Sequence, residues 1–495
     1  MMARQGVRPA LMAGLAWMCC LLSGAPASAQ PPAAPLSEDC KGTAGETKLS
    51  LESRRRDIEG RLTKLREAIA RAAPGERAPF DADLRKAQED LLEIVFATDC
   101  LRLKGQPPPI VSVERKSPPM TSRGLGPSGP APAPTSASPP RVGASPSAPA
   151  DRAAPRVASE DKSAAADAVE IVTYYATNRK RGAEGAEPSA AYANERGDAL
   201  TFGRVLVSIP RVHTPGTIEQ PQLWKFERTP DPDKHFILKS VTPLTTEATR
   251  RELADRLKAA SEKSMLVFVH GYNTGFQDAA LRTAQLAYDL QFPGIPFFYS
   301  WPSANRVRAY LQDEETARLS EGVFEGIVRE LSALPAQSIY IVAHSMGNRV
   351  VGHGLQRYVN AGGKTNHIKE VLLAAPDINA EIFKDEIVPR LEQMRGTRTT
   401  IYASSSDVAL IASKVVHGFR RVGESSGGVL VFKGMDTVDA SSASASMRNL
   451  GHSYLVDSTS VIKDLHAIIA SKLGAKARGL LPKGQAPELY WQLPQ

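Results

Sequence analysis

At 495 residues the chain is too long for one compact core, so several regions are expected. Its formal charge of +8 comes from scattered Lys and Arg and only 6% of residues are aromatic, which reads as surface solubility and excludes a nucleic-acid partner. No Gly-rich phosphate loop, His-Glu-x-x-His pair or clustered Cys/His set occurs, so no metal or nucleotide cofactor is expected.

Residues 1–29 have the layout of a secretory signal. Arg4 and Arg8 precede the apolar run LMAGLAWMCCLLSGA, and Ala27-Ser28-Ala29 supplies small residues for cleavage near Ala29. The run falls short of the roughly 20 residues a membrane span needs. Retention as an N-terminal anchor is the alternative; Met18 before Cys19 speaks against lipidation. No other stretch is long and apolar enough to span, so the mature chain is expected to be exported, periplasmic or secreted, without a transmembrane segment. Cys19 and Cys20 leave with the signal. Cys40 and Cys100 remain in a compartment that permits oxidation, and form one candidate disulfide.

Residues 30–104 read as a coiled-coil-like hairpin. Apolar residues fall at Leu51, Ile58, Leu62, Leu65 and Ile69, then at Leu84, Ala87, Leu91 and Ile94, at intervals of three, four and seven. The break AAPGERAPF, with Pro74, Gly75 and Pro79, turns the second helix back on the first. This register puts Cys100 opposite about Leu51, so Cys40 reaches it only if residues 40–50 fold back, which Gly42 and Gly45 permit. So short a seam suggests a spacer or assembly element, with self-association or an envelope partner. Residues 105–167, as in PSGPAPAPTSASPPRVGASPSAPA, hold too few large apolar residues for a core and read as a disordered linker.

From residue 168 to 475 short β-branched runs alternate with amphipathic helices. EIVTYYATN, LTFGRVLVSIP, MLVFVHG, IPFFYSWP, SIYIVAHS, VLLAAP and TIYASSSD read as strands. FQDAALRTAQLAYDL, DEETARLSEGVFEGIVRELSAL and MGNRVVGHGLQRYV read as helices. The fold class is α/β, a mostly parallel central sheet covered by helices on both faces, with chemistry at the carboxyl ends of its strands. Residues 476–495 read as a C-terminal tail.

One strand end carries Ala343-His344-Ser345-Met346-Gly347, a G-x-S-x-G nucleophile elbow with alanine in place of the first glycine. A strained strand-to-helix turn needs small residues two before and two after the serine, and Ala343 is small enough. Upstream, VFVHGYN ends another strand. Gly271 lets the backbone turn so that the N–H of Tyr272 can join that of Met346 as an oxyanion hole, while His270 reads as a ring that orders the loop. A serine hydroxyl needs an imidazole to take its proton and a carboxylate to fix the imidazole's tautomer. His353 and His466 sit within helices, His417 lies in a helix starting at Val408, and His367 comes before a strand at its wrong end. His452, in the loop LGHSY before the C-terminal helix, is left as the base. Two aspartates end successive strands. Asp407 occupies the commoner position of the acid and Asp377 is the alternative, while each also reads as a helix N-cap.

HGYN, FYSWPS, AHSMGNR, LAAPDIN and GHSY in this order, with YYATNRK and FGRVLVSIPRVHTPGTIE ahead of them, resemble a bacterial family of α/β-hydrolases of unknown function over about Val169–Leu473. The resemblance implies the hydrolase fold and a serine-histidine-aspartate site on Ser345, His452 and Asp407. The expected activity is that of an exported serine hydrolase acting on a small or lipid-like ester, with amide and thioester open. The competing expectation is a cell-envelope binding or scaffold protein that keeps the fold without turnover.

Overall fold

The computed structural model describes residues 47–73, 76–104, 168–221, 229–306, 309–445 and 458–494. Cys40, His452 and the residues read as signal and linker lie outside the described residues, and with them the expected disulfide and the expected base.

Long apolar runs too short for helices become the centre of one sheet. The strands are β1 (Val169–Arg181), β2 (Tyr192–Ile209), β3 (Ile237–Leu244), β4 (Ser264–Val269), β5 (Ile295–Ser300), β6 (Ser338–His344), β7 (Ile368–Ala374), β8 (Arg398–Ala403), β9 (Asp436–Asp439), β10 (Leu481–Lys483) and β11 (Tyr490–Gln492). Among the described residues they form a single sheet in the order β10-β11-β9-β8-β7-β6-β4-β5-β1-β2-β3. β1, β5, β4, β6, β7, β8, β9 and β11 run parallel, and β2 and β10 antiparallel to their neighbours. The central strands β4 and β5 are buried along their whole length, as a sheet covered on both faces requires.

Alternation along the strands sorts side chains into two cores. Met265, Val267 and Val269 of β4 join one apolar cluster, and Leu266 and Phe268 the other. The first core is closed by α3 (Thr246–Ala259), α5 (Tyr310–Ser332) and α6 (Gly347–Asn360). The second is closed by α4 (Phe276–Asp289) and, near the C-terminus, by a helix over Thr459–Ile469. Between β7 and β8 lie two short helical turns, α7 (Ala380–Ile382) and α8 (Val388–Leu391), joined by a π-helical turn; α9 (Val408–His417) follows β8.

The hairpin forms as α1 (Lys48–Arg71) and α2 (Ala78–Lys104). Thr47 caps α1, its hydroxyl accepting from Ser50 N–H at 3.2 Å. Pro79, read as part of the break, instead occupies the first turn of α2, where its missing N–H costs no intrahelical hydrogen bond. Leu51 packs with Ile94 and Ala97 at the open end of the pair. The seam does not stand alone: Leu62, Ala87, Leu91, Leu92 and Val95 belong to the same buried cluster as Ala412 and Val416 of α9. Each leucine or valine among them contributes roughly 1.5–3 kcal/mol when fully buried, so docking on the sheet domain supplies what a two-helix seam lacks.

The residues read as a tail also join the fold. Trp491 of β11 pairs with Val438 of β9 and is buried in the second core, and its indole N–H donates to Asp436 at 3.2 Å. No described helix is long and apolar enough to cross a membrane.

Candidate active site

β6 runs buried to His344 and then turns sharply. Ser345 has φ +51°, a left-handed conformation that costs a non-glycine residue on the order of 1–3 kcal/mol. The turn is over-determined: Ser345 N–H donates to Ala374 O at 2.9 Å. Its carbonyl accepts from Asn348 N–H at 3.0 Å, from Asn348 Nδ2 at 2.8 Å and from Asp377 N–H at 3.3 Å. Asn348 Nδ2 also donates to Ala374 O at 2.9 Å, locking α6 to β7. Gly347 is required, because a Cβ there would lie 2.2 Å from His270 O. Ala343 is fully buried beneath the turn. Met346 is the N-cap of α6, and its carbonyl accepts from Arg349 N–H at 3.0 Å.

The neighbouring turn after β4 closes over this elbow. A Cβ on Gly271 would stand 2.8 Å from Cβ of Ser345. Tyr272 is buried, its ring edge-on to Tyr310 at 5.3 Å, and burial first, then nearby acidic groups, hold its phenol well above its usual pKa. Asn273 takes φ +52°, and its N–H donates to Asp313 Oδ2 at 3.2 Å. Asp313, buried on α5, also accepts from Ser303 Oγ at 2.5 Å and from Ala304 N–H at 2.7 Å. It thereby ties the HGYN turn to the loop after β5.

Arg179, at the end of β1, fastens the same two loops from below. Its Nε donates to Ser300 Oγ at 2.9 Å, Nη1 to Ser303 O at 2.9 Å and to Asn194 Oδ1 at 3.2 Å, and Nη2 to Thr274 O at 2.7 Å. Burial lowers its pKa to about 10, so it remains a cation at neutral pH. His270 Nδ1 donates to Gly271 O at 2.7 Å, while Nε2 faces Arg179 Nη2 at 3.5 Å and Ser300 Oγ at 3.3 Å. Its ring stacks on Trp301 at 5.1 Å, and Trp301 Nε1 donates to His270 O at 2.8 Å. Burial first, then the Arg179 charge, press the imidazole down to about 3. His270 is neutral at physiological pH and orders the loop.

The two strand-end aspartates sit in different surroundings. Asp377, after β7, is buried with both carboxylate oxygens engaged: Oδ1 accepts from Ser413 Oγ at 2.6 Å and lies 3.4 Å from Arg421 Nε, while Oδ2 accepts from the Tyr310 hydroxyl and lies 3.4 Å from Arg349 Nη2. Burial alone would raise its pKa, but Arg349 and Arg421 outweigh it and hold the carboxyl well below the usual range. Arg349, on α6, also donates to Asp377 O at 2.5 Å and pairs with Glu314. Asp407, after β8, is equally buried and caps α9, its Oδ1 accepting from Leu410 N–H at 3.0 Å.

Ser345, Met346 and the HGYN turn are thus brought together at the carboxyl ends of β6 and β4, with Asp377 beneath α6 and Asp407 one strand further along. Among the other histidines, His417 Nε2 is 2.9 Å from Glu314, His367 Nε2 meets Ser332 Oγ at 2.8 Å at the amino end of β7, and His353 and His466 lie on helices. Arg179, Asp313 and Arg349 were not singled out by the sequence reading. Arg179 and Arg349 lie inside the quoted segments YYATNRK and AHSMGNR, but Asp313 looks like any acidic residue of an amphipathic helix.

No curated protein matches the chain. Residues 245–472 match the model of a family described as alpha/beta hydrolase of unknown function, DUF900, which spans α3 through the C-terminal helix and leaves the hairpin and β1–β3 outside the match. The sheet order, the sharp turn after β6 and this match agree on an alpha/beta-hydrolase fold for the sheet domain.

Proposed function

We propose that this chain is an exported serine hydrolase that cleaves a carboxylic ester through an acyl-enzyme intermediate, with Ser345 as nucleophile, His452 as general base and Asp407 as the acid that orients it. The observation that carries the reading is the strained Ser345 backbone at φ +51°, over which the HGYN turn is packed in contact. A polar side chain held in a costly conformation at a strand end is the arrangement a nucleophile elbow needs. Asp407 is favoured over Asp377 because both oxygens of Asp377 already serve an ion-pair network. Export is inferred from the signal-like residues 1–29.

In this reading His452 takes the hydroxyl proton as Ser345 Oγ bonds to the carbonyl carbon. The resulting oxyanion accepts from the N–H groups of Tyr272 and Met346. Collapse expels the alcohol, which takes the proton from His452, and a water activated by the same imidazole releases the acid. The neutral, spoken-for His270 takes no part in proton transfer.

The test is a fluorophosphonate probe on the purified mature protein, followed by an ester panel graded in acyl length. Wild type labels covalently, Ser345→Ala does not, and the panel identifies the acyl group accepted. Absence of labelling in wild type, or equal labelling of Ser345→Ala, overturns the proposal and favours a binding or scaffold protein that retains the fold.

A further inference from the structure

We propose that the N-terminal hairpin is a working part of the catalytic unit, and that Arg66 is a positioning residue for Asp407, acting through α9. This rests on the serine-hydrolase reading above and assigns the hairpin a place in it.

α9 is a helix of ten residues with Asp407 at its N-cap. Its far end presents carbonyls that have no partners within the helix. Gly418, at φ +76°, returns its N–H to Lys414 O at 2.8 Å. The carbonyls of Val415 and Val416 are taken by the hairpin: Arg66 Nη2 donates to them at 2.9 and 2.5 Å, and Gln88 Nε2 donates to Val416 O at 2.9 Å. A guanidinium thus sits at the negative end of the helix dipole. The guanidinium packs closely against the helix end, its carbon 3.3 Å from where a Cβ of Gly418 would be. Partial burial lowers the Arg66 pKa, yet burial of Leu62, Ala87 and Leu91 against Ala412 and Val416 holds the arginine there.

The sheet domain holds α9 at other positions. Ser413 donates to Asp377, Lys414 pairs with Glu424 at 2.9 Å, and His417 meets Glu314. α9 is therefore clamped between two bodies that are remote in sequence, Arg66 and Val415 being 349 residues apart. A short helix held on one side only can slide or roll, and its N-cap carboxylate moves with it. Misplacement of a catalytic group by about 1 Å costs on the order of 100-fold in rate.

The experiment compares full-length wild type with Arg66→Ala, Arg66→Lys and Gln88→Ala, at a temperature well below melting, by probe labelling of Ser345 and by ester turnover across pH. In Arg66→Ala, labelling and kcat fall by about tenfold while KM stays within about twofold, because the loss lies in transition-state geometry rather than binding. The acidic limb of the rate profile moves to lower pH, since a poorly seated carboxylate stabilises the imidazolium less. Arg66→Lys, which still donates to the carbonyls, recovers part of the rate. Gln88→Ala gives a smaller shift in the same direction and serves if Arg66→Ala does not fold. Wild-type labelling rates and pH limbs in both alanine variants, or a loss that only follows the unfolded fraction, overturn the proposal. An unlabelled wild type instead overturns the hydrolase reading itself, and this one with it.

Discussion

Gly271 and Ser345 approach so closely that a single methyl group on Gly271 would stand 2.8 Å from the serine Cβ, closer than real side chains come. The turn after β4 and the turn after β6 are thus one packed unit, joined without any side chain between them. On the other side of that unit, His270 O lies 2.2 Å from where a Cβ of Gly347 would be. Two glycines from separate strand ends permit the same contact.

Gly271→Ala is expected to push the two turns apart. Overpacking costs roughly 1–3 kcal/mol of stability, which a protein of this size tolerates, but the shift falls on the N–H of Tyr272 and on Ser345 itself. Loss of an oxyanion donor costs about 100- to 1000-fold in kcat. Denaturant unfolding and probe labelling on the same sample separate the two effects. Wild-type labelling in a stably folded Gly271→Ala would mean that the turn plays no part at Ser345.

Asp377 and Asp407 should part company on substitution. Asp377→Asn takes the shared carboxylate from Arg421 and leaves Arg349 only Glu314, and breaking a buried ion pair in this way typically costs about 3–5 kcal/mol. Asp407→Asn keeps a residue that caps helices well, so stability changes by under about 1 kcal/mol. As a triad acid, however, its loss lowers kcat by roughly 10⁴. Melting curves and turnover of both variants decide the matter: a folded Asp377→Asn with the larger loss of turnover reverses the assignment.

Arg179→Lys tests whether the HGYN turn needs a planar fork. A lysine cannot reach Ser300, Ser303 and Thr274 together as the guanidinium does. Unmade bonds to buried acceptors cost about 1–3 kcal/mol each. Arg179→Lys is expected to melt lower and to label more slowly than its unfolded fraction explains. Unchanged melting would show that the buried cation is dispensable.

The strands that carry the site were legible because β4, β5, β6, β7 and β8 are apolar runs whose burial on both faces leaves no other solution. β9, with its short DTVD, and β11, with only Tyr490–Gln492, carry no such signal. They are strands because β8 and then β9 offer an edge, which is a tertiary fact. The hairpin was legible as two helices, but its docking was not: Leu62 and Leu91 satisfy a coiled-coil seam and a shared core equally well. The elbow was legible from Ala343 to Gly347 because its steric demand is local. The network that occupies Asp377 was not, because Tyr310, Arg349, Ser413 and Arg421 meet it only once β7, α5, α6 and α9 are packed.

Two histidines give the protein opposite pH signatures. His213 Nδ1 lies 2.8 Å from Glu219 Oε2 and its Nε2 lies 2.8 Å from Asp289 Oδ1, fastening the segment after β2 to α4. Burial opposes its charge, but the hydrogen bonds to Asp289 and Glu219 raise its pKa from the ordinary 6.5 to about 9. A raised histidine contributes stability that is complete below pH 6.5 and is lost as the pH climbs through about 9. His270, depressed to about 3, acts in the other direction: folding requires its neutral form, so stability is complete above pH 6.5 and is lost as the pH falls toward 3. Each slope is bounded at about 1.4 kcal/mol per pH unit for one proton. Unfolding free energies of wild type, His213→Gln and His270→Gln, measured from pH 4 to 10, isolate the two contributions. The gap between wild type and His213→Gln should be widest near pH 6 and narrow toward pH 10, and that for His270→Gln should be widest near pH 7 and narrow toward pH 4. A His213→Gln gap that stays constant from pH 6 to 10 would mean that the imidazole is held there by shape and hydrogen bonding alone, without its charge.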